Sequence, residues 1–325
     1  MKLNIASGIS NKKIQIFAAT GGKELSSKLP LIIFLHGAGM DHTVWNLQTR
    51  YFAYHGYSVL SIDFPGHGRS EGPLMENIEQ MADWIPELIN VTAKIFGNTG
   101  ASKSKLKMAS LVGHSMGALV ALECAARYPK LLTSISLLGV SATMPVHPVL
   151  LEAASNSGRS ENNESLAYDL VTSWGHGRTG HFGTSPVPGM SLIGGGRALL
   201  SSSPKAALGI GLKACNAYQN GMRAAKKITC PTLCLMGSED KMTPPKQGEK
   251  LSAKIANAKT HLLQDCGHMM MLEKSYQTLQ ALKVHLKSTQ ACKYNPQLPD
   301  TINREFQMRF AFFSMKGCSA QDQES

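Results

Sequence analysis

Apolar residues along the chain form short runs that are separated by segments with helical periodicity. Residues 12–19 alternate apolar and polar side chains, as a half-exposed strand does, whereas residues 31–35 form an unbroken apolar run that is typical of a central strand. The same patterns predict further strands at 57–63, 107–112, 134–140, 232–236 and 260–263, and helices at 43–54, 78–96, 116–127, 246–257 and 275–287. Alternating strands and helices of this length predict an α/β fold with a mostly parallel sheet that is covered on both faces.

Two segments interrupt this alternation. Residues 141–227 contain helical stretches between Gly- and Pro-rich loops and no clear strand, so we predict an inserted helical lid. The core would then consist of residues 1–140 and 228–287. Residues 288–325 begin with a Pro-containing loop and continue with an apolar stripe at helical spacing, which predicts a separate C-terminal tail whose amphipathic helix docks on the body or on a partner chain. The stripe consists of Ile302, Phe306, Phe310 and Phe313.

Composition narrows the class of protein. Of 325 residues, 43% are hydrophobic and 17% are charged, which describes a globular chain. The longest apolar run, residues 31–35, is far shorter than the roughly 18 residues of a spanning helix, so we expect no stable membrane insertion and no secretory leader. The seven cysteines are scattered and form no pair of C-x-x-C motifs, which favours free thiols in the cytoplasm over structural zinc. The net charge of +11 lacks a dense basic run, so we expect no nucleic-acid partner.

The segment Gly113-His114-Ser115-Met116-Gly117 carries the strongest chemical signal. It fits the G-x-S-x-G elbow, in which a strand ends, turns sharply and enters a helix with the serine hydroxyl exposed at the turn. An apolar run precedes the segment and an Ala- and Leu-rich stretch follows it, as that geometry requires. Ser115 is therefore predicted to be a nucleophile.

An elbow serine needs a base and an orienting acid, and both have candidates at strand ends. Asp240 follows the strand 232–236 and is the predicted acid, with Glu239 as its competitor. His268 follows the last strand, after a glycine that allows a tight turn, and is the predicted base. His114 is a poor replacement for His268, because its side chain should leave the turn in another direction.

Backbone N–H groups are predicted to hold the oxyanion. The segment that follows the strand 31–35 contains two glycines, which let the backbone approach an acyl group closely, so we assign this role to the N–H groups of Ala38 and Met116. His36 and Gly37 would lie near the substrate, with His36 mainly as a structural hydrogen-bonding residue. No metal and no organic cofactor is predicted. Lid residues that would line an apolar acyl pocket are Met144, Trp174 and Met190.

Together these motifs resemble a lid-bearing serine esterase or lipase of the α/β-hydrolase superfamily, over about residues 12–287. The matching segments are His36-Gly37, residues 63–70, the elbow, Gly237-x-x-Asp240-x-x-x-Pro244 and Gly267-His268. The resemblance implies an eight-stranded, mostly parallel sheet and hydrolysis through an acyl-enzyme. The serine departs from the dehalogenase and epoxide-hydrolase branches, which place Asp there, and the tail has no counterpart in the family pattern.

The predicted function is hydrolysis of a small-molecule carboxylic ester by a Ser–Asp–His triad. The same residues suit a thioesterase, an amidase or iminopeptidase, a carbon–carbon hydrolase or a cofactor-free perhydrolase, since fold and triad host all of these. A different class of function is a non-catalytic ligand-binding protein on a hydrolase scaffold. The sequence does not predict the oligomeric state.

Overall fold

The computed structural model describes residues 1–7, 12–97, 108–157, 160–181 and 191–294. The strands in these ranges are β1 (Lys2–Ala6), β2 (Lys13–Ala19), β3 (Leu31–Leu35), β4 (Ser58–Ile62), β5 (Ala109–His114), β6 (Leu132–Leu138), β7 (Thr232–Gly237) and β8 (Ala258–Leu263). The helices are α1 (Asn46–Tyr54), α2 (Ile78–Gly97), α3 (Met116–Arg127), α4 (Pro148–Ser155), α5 (Glu161–Gly175), α6 (Arg178–His181), α7 (Leu192–Ser202), α8 (Ala207–Ala217), α9 (Gly221–Ala225), α10 (Pro245–Ser252), α11 (Met270–Glu273) and α12 (Ser275–Tyr294).

The eight strands form one sheet in the order β1-β2-β4-β3-β5-β6-β7-β8. The pairs β1–β2 and β2–β4 are antiparallel, and every pair from β4 through β3 to β8 is parallel. All residues of β3, β4 and β5 are buried, because helices cover both faces of the sheet. The α/β fold with a mostly parallel eight-stranded sheet is thus confirmed.

Side chains of β3 show how the two faces are filled. Ile33 belongs to an apolar cluster that also contains residues of α2 and α3, whereas Phe34 belongs to a second cluster with residues of α1 and α12. Successive strand residues point to opposite faces, so an unbroken apolar run is what a strand between two helical layers requires.

The strand β1 was not predicted from the sequence. Its burial alternates, with Leu3 and Ile5 turned into the core between the exposed Lys2 and Asn4. Five residues with only two large apolar side chains give a weak signal, and the strand becomes evident only through its antiparallel pairing with β2.

Several element boundaries also differ from the prediction, among them those of β6 and of the last helix. The strand β6 begins two residues before the predicted 134–140 and ends at Leu138, because Gly139 has a φ of 59°, which lies outside the extended region. The last helix was predicted to end at residue 287, but α12 continues to Tyr294. Tyr294 is also the last residue that the structure describes.

The segment between β6 and β7, called the insertion below, carries helices α4 to α9 and no strand within the described residues. Packing divides the chain into two units, Met1–Leu286 and Lys287–Ser325. Of the second unit the structure describes only residues 287–294, in the last turns of α12, so the apolar stripe predicted for the tail lies outside the described residues. No described helix is both long enough and apolar enough to cross a membrane.

Candidate active site

Ser115 occupies the sharp turn between β5 and α3. Its φ is 54°, a left-handed conformation that is strained for a residue with a side chain. The flanking glycines permit this turn, because a Cβ at Gly113 would collide with the carbonyl oxygen of Gly117, and a Cβ at Gly117 with that of Leu35. The N–H of Ser115 donates to the carbonyl oxygen of Leu138 at 2.9 Å. This local geometry is the nucleophile elbow that the motif predicts.

The structure brings His268 and Asp240 together from the ends of β8 and β7. The His268 Nδ1 atom lies 2.8 Å from Asp240 Oδ2, and both side chains are buried. Asp240 also accepts hydrogen bonds from the backbone N–H groups of Met242 and Thr243, at 2.9 and 2.7 Å, and from Thr243 Oγ1 at 2.6 Å. A carboxylate held in this way presents a fixed acceptor to Nδ1–H and so selects the tautomer with a free lone pair on Nε2.

The other ring nitrogen of His268 has no partner in the described part of the chain. Its Nε2 atom is buried, and no hydrogen bond to it is found among the described residues. Gly139 makes room for the ring, because a Cβ there would lie only 2.9 Å from both Cε1 and Nδ1 of His268. A buried, unsatisfied ring nitrogen is uncommon and is often found at functional sites.

Glu239, the competing acid, bonds to Arg178 and has no hydrogen bond to His268 among the described residues. Its carboxylate accepts hydrogen bonds from the backbone N–H of Arg178 at 2.6 Å and from Arg178 Nε at 2.9 Å. These hydrogen bonds lower the pKa of Glu239 below its usual value. Of the two neighbouring acids, therefore, only Asp240 is placed to orient the imidazole.

Ala38 and Met116 lie side by side near the elbow. Both contact Gly211 of α8, where a Cβ would be 2.8 Å from Ala38 Cβ and 3.1 Å from Met116 Sδ. Gly37, next to Ala38, is also close to the serine, since a Cβ at Gly37 would lie 3.3 Å from Ser115 Cβ. Neither the Ala38 N–H nor the Met116 N–H has an acceptor within the described residues. Two such donors beside the serine suit the stabilisation of a developing oxyanion.

His36 connects the Ala38 segment to the loop after β4. Its Nδ1 atom donates to the carbonyl oxygen of Gly37 at 2.8 Å, and its Nε2 accepts from the N–H of Phe64 at 3.1 Å. Complete burial lowers the pKa of His36 to about 4, so the ring is neutral at pH 7. Because both nitrogens bond to backbone groups, the geometry supports the structural role expected for His36 and leaves no polar atom of its ring for a substrate.

The His114 side chain packs against His268, with ring centroids 4.6 Å apart. Its Nε2 donates to the carbonyl oxygen of His268 at 3.0 Å, and burial holds the pKa of His114 well below its usual value. The side chain therefore supports the peptide of His268 instead of acting as a base on Ser115.

Known proteins with similar sequences and structures fit this geometry. Residues 32–280 match the alpha/beta hydrolase family. The chain belongs to this family. The match covers the elbow, Asp240 and His268 in one stretch.

Two curated relatives are hydrolases with different substrates. An (E)-2-((N-methylformamido)methylene)succinate hydrolase of Acinetobacter baylyi is 31% identical over 108 residues, which are 33% of this chain and 36% of that protein. A pimeloyl-acyl-carrier-protein methyl ester esterase of Methylococcus capsulatus is 24% identical over 279 residues, which cover 82% of this chain and 98% of that protein. Among solved structures, a thermophilic esterase from Thermogutta terrifontis aligns with a TM-score of 0.73 and 21% identity, covering 89% of this chain and 99% of its own. At that identity the structural likeness supports the fold alone.

The predicted pocket residues have different outcomes. Met144 is buried in the same apolar cluster as Ala38 and Met116, and Trp174 packs against that cluster. The Trp174 ring also contacts the ring of His147, edge to face, with centroids 5.2 Å apart. Met190 lies outside the described residues. Met144 and Trp174 thus belong to the apolar interior of the body, and their contact with an acyl group stays a prediction.

Two residues that bond to the surroundings of His268 were not predicted from the sequence. Thr243 bonds to Asp240, and its Oγ1 atom lies 3.2 Å from His268 Nδ1. Glu273, which ends α11, is buried beside the same loop. The sequence did offer one indication of a buried Glu273. It is a single acid that directly follows the four apolar residues 269–272, and such a run predicts a buried segment.

One cluster of side chains has a composition that could bind a metal ion. Ligand atoms of Asp41, His42 and Asp63 lie within 4.8 Å of one another. Protein donors already occupy these atoms, however. Asp63 Oδ1 accepts from both the N–H and Nδ1 of His42 at 2.7 Å, and Asp41 Oδ1 accepts from the N–H of Thr43 at 2.8 Å. The arrangement is that of a hydrogen-bonded helix N-terminus.

Proposed function

We propose that this chain hydrolyses carboxylic esters through an acyl-enzyme on Ser115. The observation that carries the proposal is that His268 Nδ1 and Asp240 Oδ2 lie 2.8 Å apart, while Ser115 occupies a strand-to-helix turn with a φ of 54°. The pair leaves His268 Nε2 without a partner and therefore free to accept the proton of a serine hydroxyl.

The proposed reaction has two steps. His268 Nε2 takes the proton of Ser115 Oγ as the oxygen attacks the carbonyl carbon, and the N–H groups of Ala38 and Met116 stabilise the oxyanion. The protonated His268 then gives its proton to the departing alcohol, which leaves an acyl group on Ser115. In the second step His268 removes a proton from water, the resulting hydroxide attacks the acyl group, and Ser115 recovers its proton as the acid is released. Asp240 stabilises the imidazolium in both steps.

An ester is a substrate class whose cleavage needs only the groups assigned here. An alkoxide leaving group requires one proton from His268 and one oxyanion site, both of which the geometry supplies. In α8 of the insertion, Leu208 packs against Gly39 and Gly211 against Ala38 and Met116, which favours an apolar acyl group under a lid. The five described cysteines that are buried, free thiols also fit the cytoplasmic location that we propose.

Labelling with a fluorophosphonate probe tests the nucleophile, and turnover of p-nitrophenyl esters of increasing chain length tests the bond. The wild-type chain should be labelled on Ser115 and should hydrolyse at least one ester of the series. Ser115→Ala should lose labelling and should lower kcat by about 10⁴-fold or more. The matched control is Ser201→Ala on the exposed face of α7, which should keep both activities.

The outcomes separate the rival functions. Labelling without ester turnover would move the assignment to a thioester, an amide or a carbon–carbon bond, cleaved by the same residues. A folded wild-type chain that is not labelled at all would favour a ligand-binding protein and would overturn the proposal.

A further inference from the structure

One buried carboxylate, that of Glu273, has no part in the proposed reaction. Glu273 is 6% exposed, and its Oε2 atom accepts hydrogen bonds from the backbone N–H of Gly177 at 2.8 Å and of Gly267 at 3.1 Å. No Lys or Arg forms an ion pair with it within the described residues. Because burying an unpaired carboxylate is costly, these two hydrogen bonds must offset much of that cost.

The two N–H groups belong to parts of the chain that are distant in sequence. Gly267 immediately precedes His268, whereas Gly177 lies in the turn between α5 and α6 of the insertion. Their backbones are in direct contact, since a Cβ at Gly177 would lie 2.9 Å from the nitrogen of Gly267, and a Cβ at Gly267 would collide with the nitrogen of Gly177. Glu273 therefore joins two backbone segments that touch without an intervening side chain.

Further hydrogen bonds hold the same loop. The carbonyl oxygen of Gly175, the last residue of α5, accepts from the N–H groups of His268 and Met269 at 2.9 and 3.0 Å. On the opposite side, the carbonyl oxygen of His268 accepts from His114 Nε2 at 3.0 Å. The backbone around His268 is thus bonded to the elbow on one side and to the insertion on the other.

We propose that Glu273 is a positioning residue for His268. Its carboxylate fixes the peptide ahead of His268 to the α5–α6 turn and so sets where Nε2 meets the hydroxyl of Ser115. The inference rests on the proposed function, because it takes His268 as the base. The position of the acceptor oxygen should matter more than the charge. The Oε2 atom accepts from two neutral backbone N–H groups, and Glu273 forms no ion pair with a Lys or Arg among the described residues.

Two substitutions separate acceptor reach from charge. Glu273→Gln keeps an acceptor oxygen at the same distance along the side chain and removes the charge. Glu273→Asp keeps the charge and withdraws the oxygens by one carbon–carbon bond, about 1.5 Å. A third variant, Glu273→Met, has a similar shape and no strong acceptor. The matched controls are Glu249→Asp and Glu249→Gln on the exposed face of α10.

The experiment measures the second-order rate of fluorophosphonate labelling of Ser115, together with kcat and KM on the best p-nitrophenyl ester and the melting temperature. Glu273→Asp should lower the labelling rate and kcat by about 10- to 100-fold, because a displacement of about 1 Å at a catalytic group can have an effect of that size. Its KM should stay within about twofold, since the acyl pocket is unchanged. Glu273→Gln should keep most of the activity, Glu273→Met should resemble Glu273→Asp, and the Glu249 variants should match the wild type.

Each other result overturns the proposal. Wild-type labelling with unchanged rates in Glu273→Asp and Glu273→Met would overturn it while leaving the proposed function intact. A larger loss in Glu273→Gln than in Glu273→Asp would show that the charge matters and not the acceptor. If all three variants fail to fold, Glu273 is a stability residue only. Absence of labelling in the wild type would overturn the proposed function and this inference with it.

Discussion

Gly211→Ala should damage the proposed oxyanion site although it replaces glycine with the best helix-forming residue. The added Cβ would lie 2.8 Å from Ala38 Cβ and 3.1 Å from Met116 Sδ. Carbon atoms in contact lie about 3.5–4.0 Å apart, so Ala38 and α8 must separate by about 0.7–1.2 Å. The sulfur of Met116 can rotate away, but the Cβ of Ala38 is attached directly to the backbone whose N–H we assign to the oxyanion.

The expected loss of activity follows from that displacement. A shift of about 1 Å at a catalytic group, or the loss of one oxyanion donor, lowers kcat by about 100-fold or more. For the free energy of unfolding, two opposing effects partly cancel. An alanine in a helix gains about 0.5–1 kcal/mol over glycine, whereas overpacking a filled site costs about 1–3 kcal/mol. The net effect on the free energy of unfolding should therefore be a loss of at most about 2.5 kcal/mol.

The matched control is Gly195→Ala in α7, where an added Cβ meets nothing within 4 Å. That variant should be stabilised by about 0.5–1 kcal/mol and should keep the wild-type kcat. Both variants would be compared by urea unfolding and by turnover of the best p-nitrophenyl ester. The reasoning is refuted if Gly211→Ala is stabilised like Gly195→Ala and keeps its kcat. The close contact between α8 and Ala38 would then not affect catalysis.

Other expectations concern the acid, the buried histidines and the insertion. Asp240→Asn should lower kcat by about 10⁴-fold, because an amide favours the wrong imidazole tautomer, whereas Glu239→Gln should keep most of the activity. The reverse ranking would show that Glu239 is the acid. Burial lowers the pKa of His36 to about 4, so the unfolded chain binds more protons below pH 6.5, and the free energy of unfolding should fall as the pH drops from about 6.5 to about 4. Urea unfolding at several pH values would measure this slope, and His36→Asn should reduce it. Trp174→Ala should change the preferred acyl length while Ser115 is still labelled, and an unchanged chain-length profile would remove Trp174 from specificity.

The parts of the site that local sequence predicts are those that depend on backbone constraints. The elbow is encoded by two glycines at positions where a Cβ cannot fit, so Gly113, Ser115 and Gly117 were identifiable without any tertiary information. Asp240 and His268 were predicted from strand ends, because parallel strands deliver their following loops to one edge of the sheet. In the structure Asp240 Oδ2 and His268 Nδ1 lie 2.8 Å apart, and their roles as acid and base stay predictions.

What local sequence could not predict are contacts between distant segments. The hydrogen bond from the N–H of His268 to the carbonyl oxygen of Gly175 joins residues in different elements, and no periodicity specifies which helix end meets which loop. The same holds for Gly211, which resembled any helical glycine until Ala38 was found against it. The edge strand β1 was missed for a related reason, since its assignment depends on the pairing partner β2.

The insertion contacts the candidate site at two separate points, and this limits how specificity can change. At one point Gly211 bears on Ala38 and Met116, and at the other Gly175 holds the peptide of His268. A rigid shift of α5 would therefore move the proposed base, and a shift of α8 would move the proposed oxyanion donors. Specificity can change without loss of rate only through side chains that leave both backbone contacts in place. Trp174, next to Gly175 but packed through its ring, is such a side chain, so acyl preference and kcat should separate at Trp174 and not at Gly211.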